Sequence, residues 1–169
     1  MKPVLLTALA LAGLAAAAPV QAELIATRVP VTVIASGGFC DSPPDQYVAA
    51  PEAEGGRYEH NFHGFDYVVR GDRFPAQVAL GIGVRVRIEG YGPDRSVRVL
   101  VEPPAGRSGS WDQKIGRDGE LEFGRLPAIG GALPQGRYLL SVLDDGRYLF
   151  TFALTLDGMA EESLCVPVS

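Results

Sequence analysis

The chain has little of several residue types, and each shortage excludes a class of protein. Only two cysteines and two histidines occur in 169 residues, and no Cys-x-x-Cys pair of the kind that binds zinc is present. Acidic residues outnumber basic ones by 20 to 15, which disfavours a nucleic-acid-binding protein. The composition also excludes collagenous, coiled-coil and multi-span membrane proteins.

The one long apolar run lies at the amino terminus. Lys2 precedes a run of leucine and alanine over residues 4–18, and the small residues Val20 and Ala22 follow it. This order predicts a secretory signal peptide over residues 1–22, because a run of about 15 residues is too short to span a membrane. We therefore expect no membrane span, and a 147-residue mature domain over residues 23–169 with a formal charge of −6. The alanine- and leucine-rich signal is typical of bacteria, which favours the periplasm or secretion.

Glycine and proline are abundant in the mature region. They make up 31 of its 147 residues, roughly 21% against a usual 12%. They separate short runs rich in Val, Leu, Ile, Tyr and Phe, and no amphipathic helix pattern follows residue 23. The pattern predicts an all-β fold, an immunoglobulin-like antiparallel β-sandwich of about seven or eight strands. The first strand is expected over residues 25–35, at a sheet edge because Pro30 has no amide donor.

Three β-hairpins are predicted from alternating residues. The first joins runs 84–89 and 97–102, in the register that sets Glu89 opposite Arg98 and Arg85 opposite Glu102, since opposed unlike charges stabilise. The second joins residues 138–143 to 147–156 through a three-residue loop, which sets Phe152 opposite Tyr138 on one apolar face. The third joins residues 111–115 to 120–123 through a glycine-bounded turn.

Cys40 and Cys165 are the only cysteines. An exported protein with two cysteines usually pairs them, so we predict a disulfide that joins an early loop to the carboxyl-terminal tail. On the chain-entropy model, such a bridge contributes on the order of 4–5 kcal/mol to stability.

Two segments resemble a bacterial family of secreted domains of unknown function. The first is residues 73–90, with a Pro-Ala start and a Gly-x-Gly at the beginning of a strand; the second is residues 133–152, with a Pro-(Gly)-x-aromatic strand and a glycine hairpin. Gln135 interrupts the late Pro-Gly of the family pattern. The resemblance covers residues 74–156, implies a β-sandwich, and carries over no activity or functional residue.

Two histidines lie close together in His60-Asn61-Phe62-His63, with Asp66 nearby. Imidazole and carboxylate groups can bind zinc, copper or nickel. Positions three apart on a strand face opposite ways, so the pair converges only on a loop or turn. A small metal-binding protein or metal-dependent enzyme built on His60, His63 and Asp66 is therefore the alternative hypothesis, and ordinary surface histidines are the simpler interpretation.

Two further groups are candidates for ligand binding. Arg85, Arg87 and Arg98 are expected to share the exposed face of the first predicted hairpin, where arginines suit an anionic ligand or, with balancing glutamates, an ordinary solvated face. Aromatic residues in or near loops suit a sugar or peptide platform, or the packing of loops onto the sandwich. The aromatic candidates are Tyr47, Tyr58, Phe62 and Trp111.

No catalytic motif stands out in the sequence. A Gly-x-Ser-x-Gly nucleophile elbow is absent, and Gly81-Ile82-Gly83 lacks the rest of a dinucleotide fingerprint and leads into a strand. The favoured hypothesis is a non-catalytic periplasmic interaction module without a cofactor. It would bind an envelope protein or ligand through loop residues 39–64 or an exposed sheet edge.

Overall fold

The computed structural model describes residues 22–40, 46–49, 57–60, 64–128 and 131–165. The only helical segment in these ranges is one 3-10 turn, Arg117–Gly119. No helix there is long and apolar enough to cross a membrane. In chain order the strands are β1 (Glu23–Thr27), β2 (Val31–Cys40), β3 (Gln46–Ala49), β4 (Arg57–His60), β5 (Tyr67–Arg70), β6 (Arg73–Ala76), β7 (Leu80–Ile88), β8 (Ser96–Glu102), β9 (Gly109–Lys114), β10 (Glu120–Arg125), β11 (Gly136–Asp144) and β12 (Arg147–Met159).

The strands form two sheets that pack as a sandwich. Sheet A has the order β1-β12-β11-β8-β9, and β6 adds to it by pairing in parallel with β12. Sheet B has the order β10-β7-β2-β5, and β3 pairs with β4 in a separate two-stranded hairpin. The predicted all-β sandwich is confirmed. It has ten strands in the two sheets of the described chain, where about seven or eight were expected.

The core lies between the sheets and is built from alternate residues of the central strands. These residues are at most 1% exposed, and the residues between them point outward. The pattern follows from the period of two in a strand, which gives each strand one buried face. The contributing side chains of the longest strands are Ile82, Val84, Val86, Ile88, Val99, Val101, Tyr138, Leu140, Val142, Phe150, Phe152, Leu154 and Leu156.

The first predicted hairpin is wrong. β7 pairs with β2 and β10 in sheet B, whereas β8 pairs with β9 and β11 in sheet A, so the chain crosses between sheets at residues 89–95. The alternation correctly identified the buried faces of both strands. It does not identify the partner, because two strands facing one core from opposite sheets show the same pattern as a hairpin. Arg85 lies opposite Glu122, and Arg98 opposite Asp112.

The third predicted hairpin is wrong for the same reason. β9 belongs to sheet A and β10 to sheet B, and the 3-10 turn at Arg117–Gly119 carries the chain between them. The turn residues were correctly placed, since Asp118 and Gly119 both have positive φ angles, of 59° and 76°. A turn of this kind reverses the chain without requiring its two arms to pair.

The β11–β12 hairpin is confirmed, with a different register. Asp144 pairs with Arg147 across a two-residue turn, and a bulge at Leu149 then shifts the ladder by one residue. Phe152 therefore lies opposite Leu140, and not opposite Tyr138 as predicted. The apolar face is continuous as expected, because the bulge returns Phe150 and Phe152 to the core side.

The first predicted strand is divided at Pro30. β1 lies at an edge of sheet A, and β2 lies inside sheet B between β7 and β5. Pro30 stands in the break, where no ladder hydrogen bond is required of it. The placement at an edge is correct for β1 and wrong for β2.

Two local interactions hold the ends of the sandwich. Cys40 and Cys165 form the predicted disulfide, which joins the end of β2 to the carboxyl-terminal segment across 125 residues of sequence. At the start of β11, the hydroxyl of Tyr138 donates to the main-chain oxygen of Pro134 at 2.8 Å. This bond fixes the corner by which the chain enters sheet A.

Candidate functional site

A short segment crosses the outer face of sheet B. It begins at Gly64, beside the carboxylate of Glu122 on β10, and ends at Tyr67, the first residue of β5 on the opposite side of the sheet. Between them the ring of Phe65 stacks on the ring of Phe39 from β2, with centroids 3.8 Å apart. Tyr67 meets both rings edge-on, at 6.2 Å and 6.1 Å.

Glycines on β7 and β10 make room for this aromatic cluster. A Cβ atom at Gly83 would lie 2.9 Å from the ring of Phe65 and 3.0 Å from that of Phe39. Gly81 and Gly124 have the same relation to Phe39. The Gly81-Ile82-Gly83 motif is therefore explained by packing, because a larger side chain would lift the rings off the sheet.

Glu122 holds the crossing segment to the sheet. Its Oε2 atom accepts the main-chain N–H of Phe65 at 2.9 Å. Burial raises the pKa of this carboxyl above its usual value, although the Phe65 hydrogen bond and the charge of Arg85 act in the other direction. The partly buried carboxyl group of Glu122 thus anchors the segment between the β3–β4 hairpin and β5.

The hydroxyl of Tyr67 is buried beside Glu122. Within the described ranges, neither this hydroxyl nor Glu122 Oε1 has a hydrogen-bond partner of good geometry. Burial raises the pKa of Tyr67, and the negative charge of Glu122 raises it further. The phenol therefore stays protonated, so its electrostatic interaction with Glu122 is that of a neutral dipole with a carboxyl group.

The solvent side of the cluster carries an arginine–glutamate network. Glu120 on β10 accepts from Arg87 at 2.8 Å and from Arg85 at 3.1 Å. The hydrogen bond from Arg87, with help from Arg85, lowers the pKa of Glu120. Because one carboxylate serves both guanidinium groups, two positive charges are partly balanced, and anion binding by Arg85 and Arg87 stays a prediction.

Arg98 does not share this face, contrary to expectation. It lies on β8 in sheet A and forms a two-point ion pair with Asp112, with distances of 2.9 Å and 3.1 Å. The expectation depended on the β7–β8 hairpin, which the structure replaces with a crossing between sheets. The three arginines are therefore divided between the two outer faces of the sandwich.

The β3–β4 hairpin is inserted between β2 and β5, which are neighbours in sheet B. β2 ends at Cys40, which still pairs with Leu80, and the chain rejoins the sheet at Tyr67, the register partner of Phe39. The Cys40–Cys165 disulfide fixes the start of the insertion, and the hydrogen bond from Phe65 to Glu122 fixes its end. Both ends of the insertion are thus held on a rigid base.

The predicted metal ligands fall only partly within the described ranges. His60 is the last residue of β4 and pairs with Gln46, Asp66 is exposed in the crossing segment, and His63 lies outside the described residues. No group of three or more potential ligands occurs among the residues that the structure describes. The metal site stays a prediction.

The predicted aromatic candidates do not all lie in loops. Tyr47 and Tyr58 belong to β3 and β4, and Phe62 lies outside the described residues. Trp111 is in β9 of sheet A, where it is half-buried and its indole N–H donates to Gln113 Oε1 at 3.1 Å. The sequence also predicted that Trp111 begins a strand, and the structure starts that strand two residues earlier, at Gly109.

Sequence reasoning missed Glu122 and the stacking of Phe39. Glu122 alternates with the buried Leu121 and Phe123, and this alternation is the same for a solvated face as for a face covered by another segment. A comparison with protein-family models, curated proteins and solved structures found no match to this chain.

Proposed function

We propose that this chain is an exported, non-catalytic interaction module that binds a partner in the bacterial envelope through the β3–β4 hairpin. The observation that carries the proposal is the insertion of this hairpin between adjacent strands of a sheet, with both ends anchored. Binding segments are commonly loops held by a rigid scaffold, because the scaffold lowers the entropy lost on binding. The disulfide supports export, because disulfides persist in oxidising compartments outside the cytoplasm.

The topology supports an immunoglobulin-like scaffold as part of this proposal. In sheet A the order β9-β8-β11-β12 corresponds to strands C′, C, F and G, and in sheet B the neighbours β10 and β7 correspond to E and B. The Tyr138–Pro134 bond resembles the tyrosine corner of such domains, which also lies at the start of strand F. β3 and β4 then form an insertion in the amino-terminal part of the scaffold.

The composition of the insertion indicates the chemistry of the partner. Residues 41–63 contain five acidic residues and one arginine, a formal charge of −4, together with three aromatic residues. Acidic charge increases the association rate with a basic surface, and aromatic residues are enriched at protein interfaces. A basic protein surface is therefore the preferred partner.

The test compares the native protein with a variant in which residues 41–63 are replaced by a short Gly-Ser linker. The ends to be joined are Cys40, at the end of β2, and Gly64, beside Glu122 on β10 two strands away, so a linker of about ten Gly and Ser residues connects them without displacing residues 64–66. Cross-linking in the envelope followed by affinity purification should recover a partner with the native protein and lose it with the linker variant.

A matched control keeps the hairpin and changes a distant surface. Arg73→Ala with Asp157→Ala removes an exposed ion pair between β6 and β12 and should leave recovery of the partner unchanged. Equal recovery by the native protein and the linker variant would show that the hairpin is not the binding element. Recovery of no partner by the native protein would contradict the interaction role itself.

A further inference from the structure

An open cavity lies at one end of the sandwich, between the β7–β8 crossing and the β11–β12 turn. Its volume is about 400 Å³, within the range of small-molecule sites. The crossing contributes Tyr91, and the turn and the start of β12 contribute the other lining residues, Asp144, Asp145, Arg147 and Leu149. Most of these side chains are polar, so the cavity suits a polar ligand.

This end of the sandwich is opposite the end that carries the β3–β4 hairpin. In the β2–β7 ladder, Val31 pairs with Ile88, where the crossing begins, whereas Cys40, where the insertion begins, pairs with Leu80. Under the immunoglobulin-like correspondence proposed above, the crossing and the turn are the B–C and F–G loops, which contact the ligand in variable domains. The cavity is therefore separate from the hairpin and from the partner proposed for it.

The carboxylate of Asp144 joins the two sides of the cavity. Its Oδ2 atom accepts from the hydroxyl of Tyr91 at 3.1 Å and from Arg95 at 2.6 Å. The guanidinium of Arg95 also lies over the ring of Tyr91, 5.0 Å from its centroid. Since Arg95 neutralises Asp144, this carboxylate fixes the shape of the cavity and adds little net charge to it.

The main chain on both sides of the cavity is also held. The N–H of Arg95 donates to the main-chain oxygen of Gly92 at 3.1 Å, and its own oxygen accepts the N–H of Ile115 at 3.0 Å. Asp145 and Gly146 have φ angles of 48° and 73°, as in a tight two-residue hairpin turn. A cavity with fixed walls loses little conformational entropy when it binds a ligand.

A β-bulge brings an apolar residue to the cavity. β12 has one extra residue, Leu149, between the pairs Leu143–Tyr148 and Val142–Phe150. Leu149 and Phe150 are consequently both buried, although successive residues of a regular strand face opposite ways. Bulges commonly redirect a side chain beside a binding or active site.

Two opposite charges at the cavity have no partner among the described residues. Asp145 and Arg147 flank Gly146, both are exposed, and neither forms an ion pair within the described ranges. One acidic and one basic group together match a ligand that carries one ammonium and one carboxylate group. A phosphate would be repelled by Asp145 and a polyamine by Arg147, so a ligand with charges of one sign is disfavoured.

We propose that this cavity binds a small zwitterion, either a free amino acid or a short peptide. The ammonium group of the ligand contacts Asp145 and its carboxylate contacts Arg147, whose planar guanidinium suits a two-point interaction. Tyr91 and Leu149 contact the part of the ligand between its charges. The site is independent of the β3–β4 hairpin, so its failure leaves the proposed envelope partner untouched.

Titration of the purified, disulfide-bonded protein with L-alanine and with L-alanyl-L-alanine tests the proposal and distinguishes the two sources. In amide NMR spectra, the signals of Tyr91, Asp145 and Arg147 should shift saturably with at least one of them, with a dissociation constant below about 10 mM. Blocked forms of the bound compound, N-acetylated or C-amidated, each lack one charge and should bind about three- to tenfold more weakly.

Two substitutions remove one charge each from the protein. Asp145→Asn and Arg147→Gln should both weaken binding by about three- to tenfold, and asparagine tolerates the positive φ of position 145. Arg107→Gln, at an exposed residue between β8 and β9 at the opposite end of the sandwich, is the control and should change nothing. The unfolding midpoint shows whether each variant is folded.

The blocked compounds are tested on the unaltered protein, so they decide the charge match even where a variant does not fold. The absence of a saturable shift with both alanine and alanyl-alanine overturns the proposal. Equal binding of the parent compound and its two blocked forms overturns it too, as do shifts confined to residues outside the cavity.

Discussion

Gln113 and Glu122 join the two sheets at one edge of the sandwich. The side-chain Nε2 of Gln113, on β9, donates to the main-chain oxygen of Glu122, on β10, at 2.8 Å. Gln113 is only 8% exposed, and its Oε1 also accepts the indole N–H of Trp111. One buried amide therefore links edge strands that the chain leaves unpaired when it crosses between sheets.

Replacing this amide should destabilise the fold. Gln113→Leu has a similar volume but removes the hydrogen bond to the main-chain oxygen of Glu122, and an unsatisfied buried polar group costs about 1–3 kcal/mol. Urea unfolding should show a loss of that size. Gln135→Leu, at an exposed position, is the control and should change stability by less than about 0.5 kcal/mol; equal losses in the two variants would contradict the role given to Gln113.

The hydrogen bond at the start of β11 can be tested by removing one hydroxyl group. Tyr138→Phe keeps the buried ring and removes the hydrogen bond to Pro134, so the free energy of unfolding should fall by about 0.5–1.5 kcal/mol. Tyr148→Phe removes a hydroxyl from a tyrosine that is 46% exposed and should have almost no effect. Indistinguishable unfolding curves for the native protein and Tyr138→Phe would show that the corner bond contributes nothing to stability.

Alternation of residues predicted the sandwich but not which strands pair. The runs that became β7 and β8 were correctly assigned buried and exposed faces, because the period of two is a local property. Their pairing was wrong because both apolar faces point into one core from opposite sheets. The charge argument for their register had no bearing on the fold, since Arg85 and Arg98 find acidic partners on β10 and β9 instead.

The candidate site was harder to predict than the fold. The disulfide followed from a count of cysteines, whereas the anchoring of the insertion depends on residues that are distant in sequence, Phe65 and Glu122, which are 57 positions apart. The bulge at Leu149 was also not predicted, because it depends on how β11 and β12 pair and not on the residues of one strand alone. Long-range contacts of this kind require the strand order to be known first.

The glycines of β7 and β10 that lie beneath the aromatic cluster give a third prediction. Gly83→Ala would place a methyl group 2.9 Å from the ring of Phe65, and overpacking of this kind costs about 1–3 kcal/mol. Hydrogen exchange should accelerate at the main-chain amide of Phe65, because its ring is displaced. Gly92→Ala is the matched control, since a Cβ atom there meets nothing within 4 Å. If the Gly83→Ala protein is as stable as this control, the rings of Phe39 and Phe65 do not need the space that Gly83 leaves.

The disulfide should contribute strongly to stability because it closes a long loop. Its cysteines are 125 residues apart, and the chain-entropy model gives about 5 kcal/mol for a loop of this length. Cys40→Ser with Cys165→Ser should lower the free energy of unfolding by that order. Reductant should destabilise the native protein toward the level of this variant and leave the variant itself unaffected; a native protein insensitive to full reduction would contradict the prediction.

The raised pKa of Glu122 predicts a specific dependence of stability on pH. In the unfolded chain this carboxyl ionises at its usual pKa, but in the folded protein it holds its proton to higher pH, because burial disfavours the charge. Its contribution to stability is therefore fully present below the usual pKa and is lost as the pH rises through the raised one. Glu122→Gln removes the titration, so the stability of this variant relative to the native protein should increase as the pH rises above about 4.

Glu120, two residues away on the same strand, provides a control of opposite sign. Arg87 and Arg85 lower its pKa, so the folded protein loses this proton first and Glu120 stabilises the fold increasingly as the pH rises. Relative to the native protein, Glu120→Gln should therefore lose stability as the pH rises toward the usual pKa of a glutamate, about 4.3, whereas Glu122→Gln gains it as the pH rises above that value. Parallel pH profiles for the two variants would show that the burial of Glu122 under Gly64 and Phe65 does not govern its ionisation.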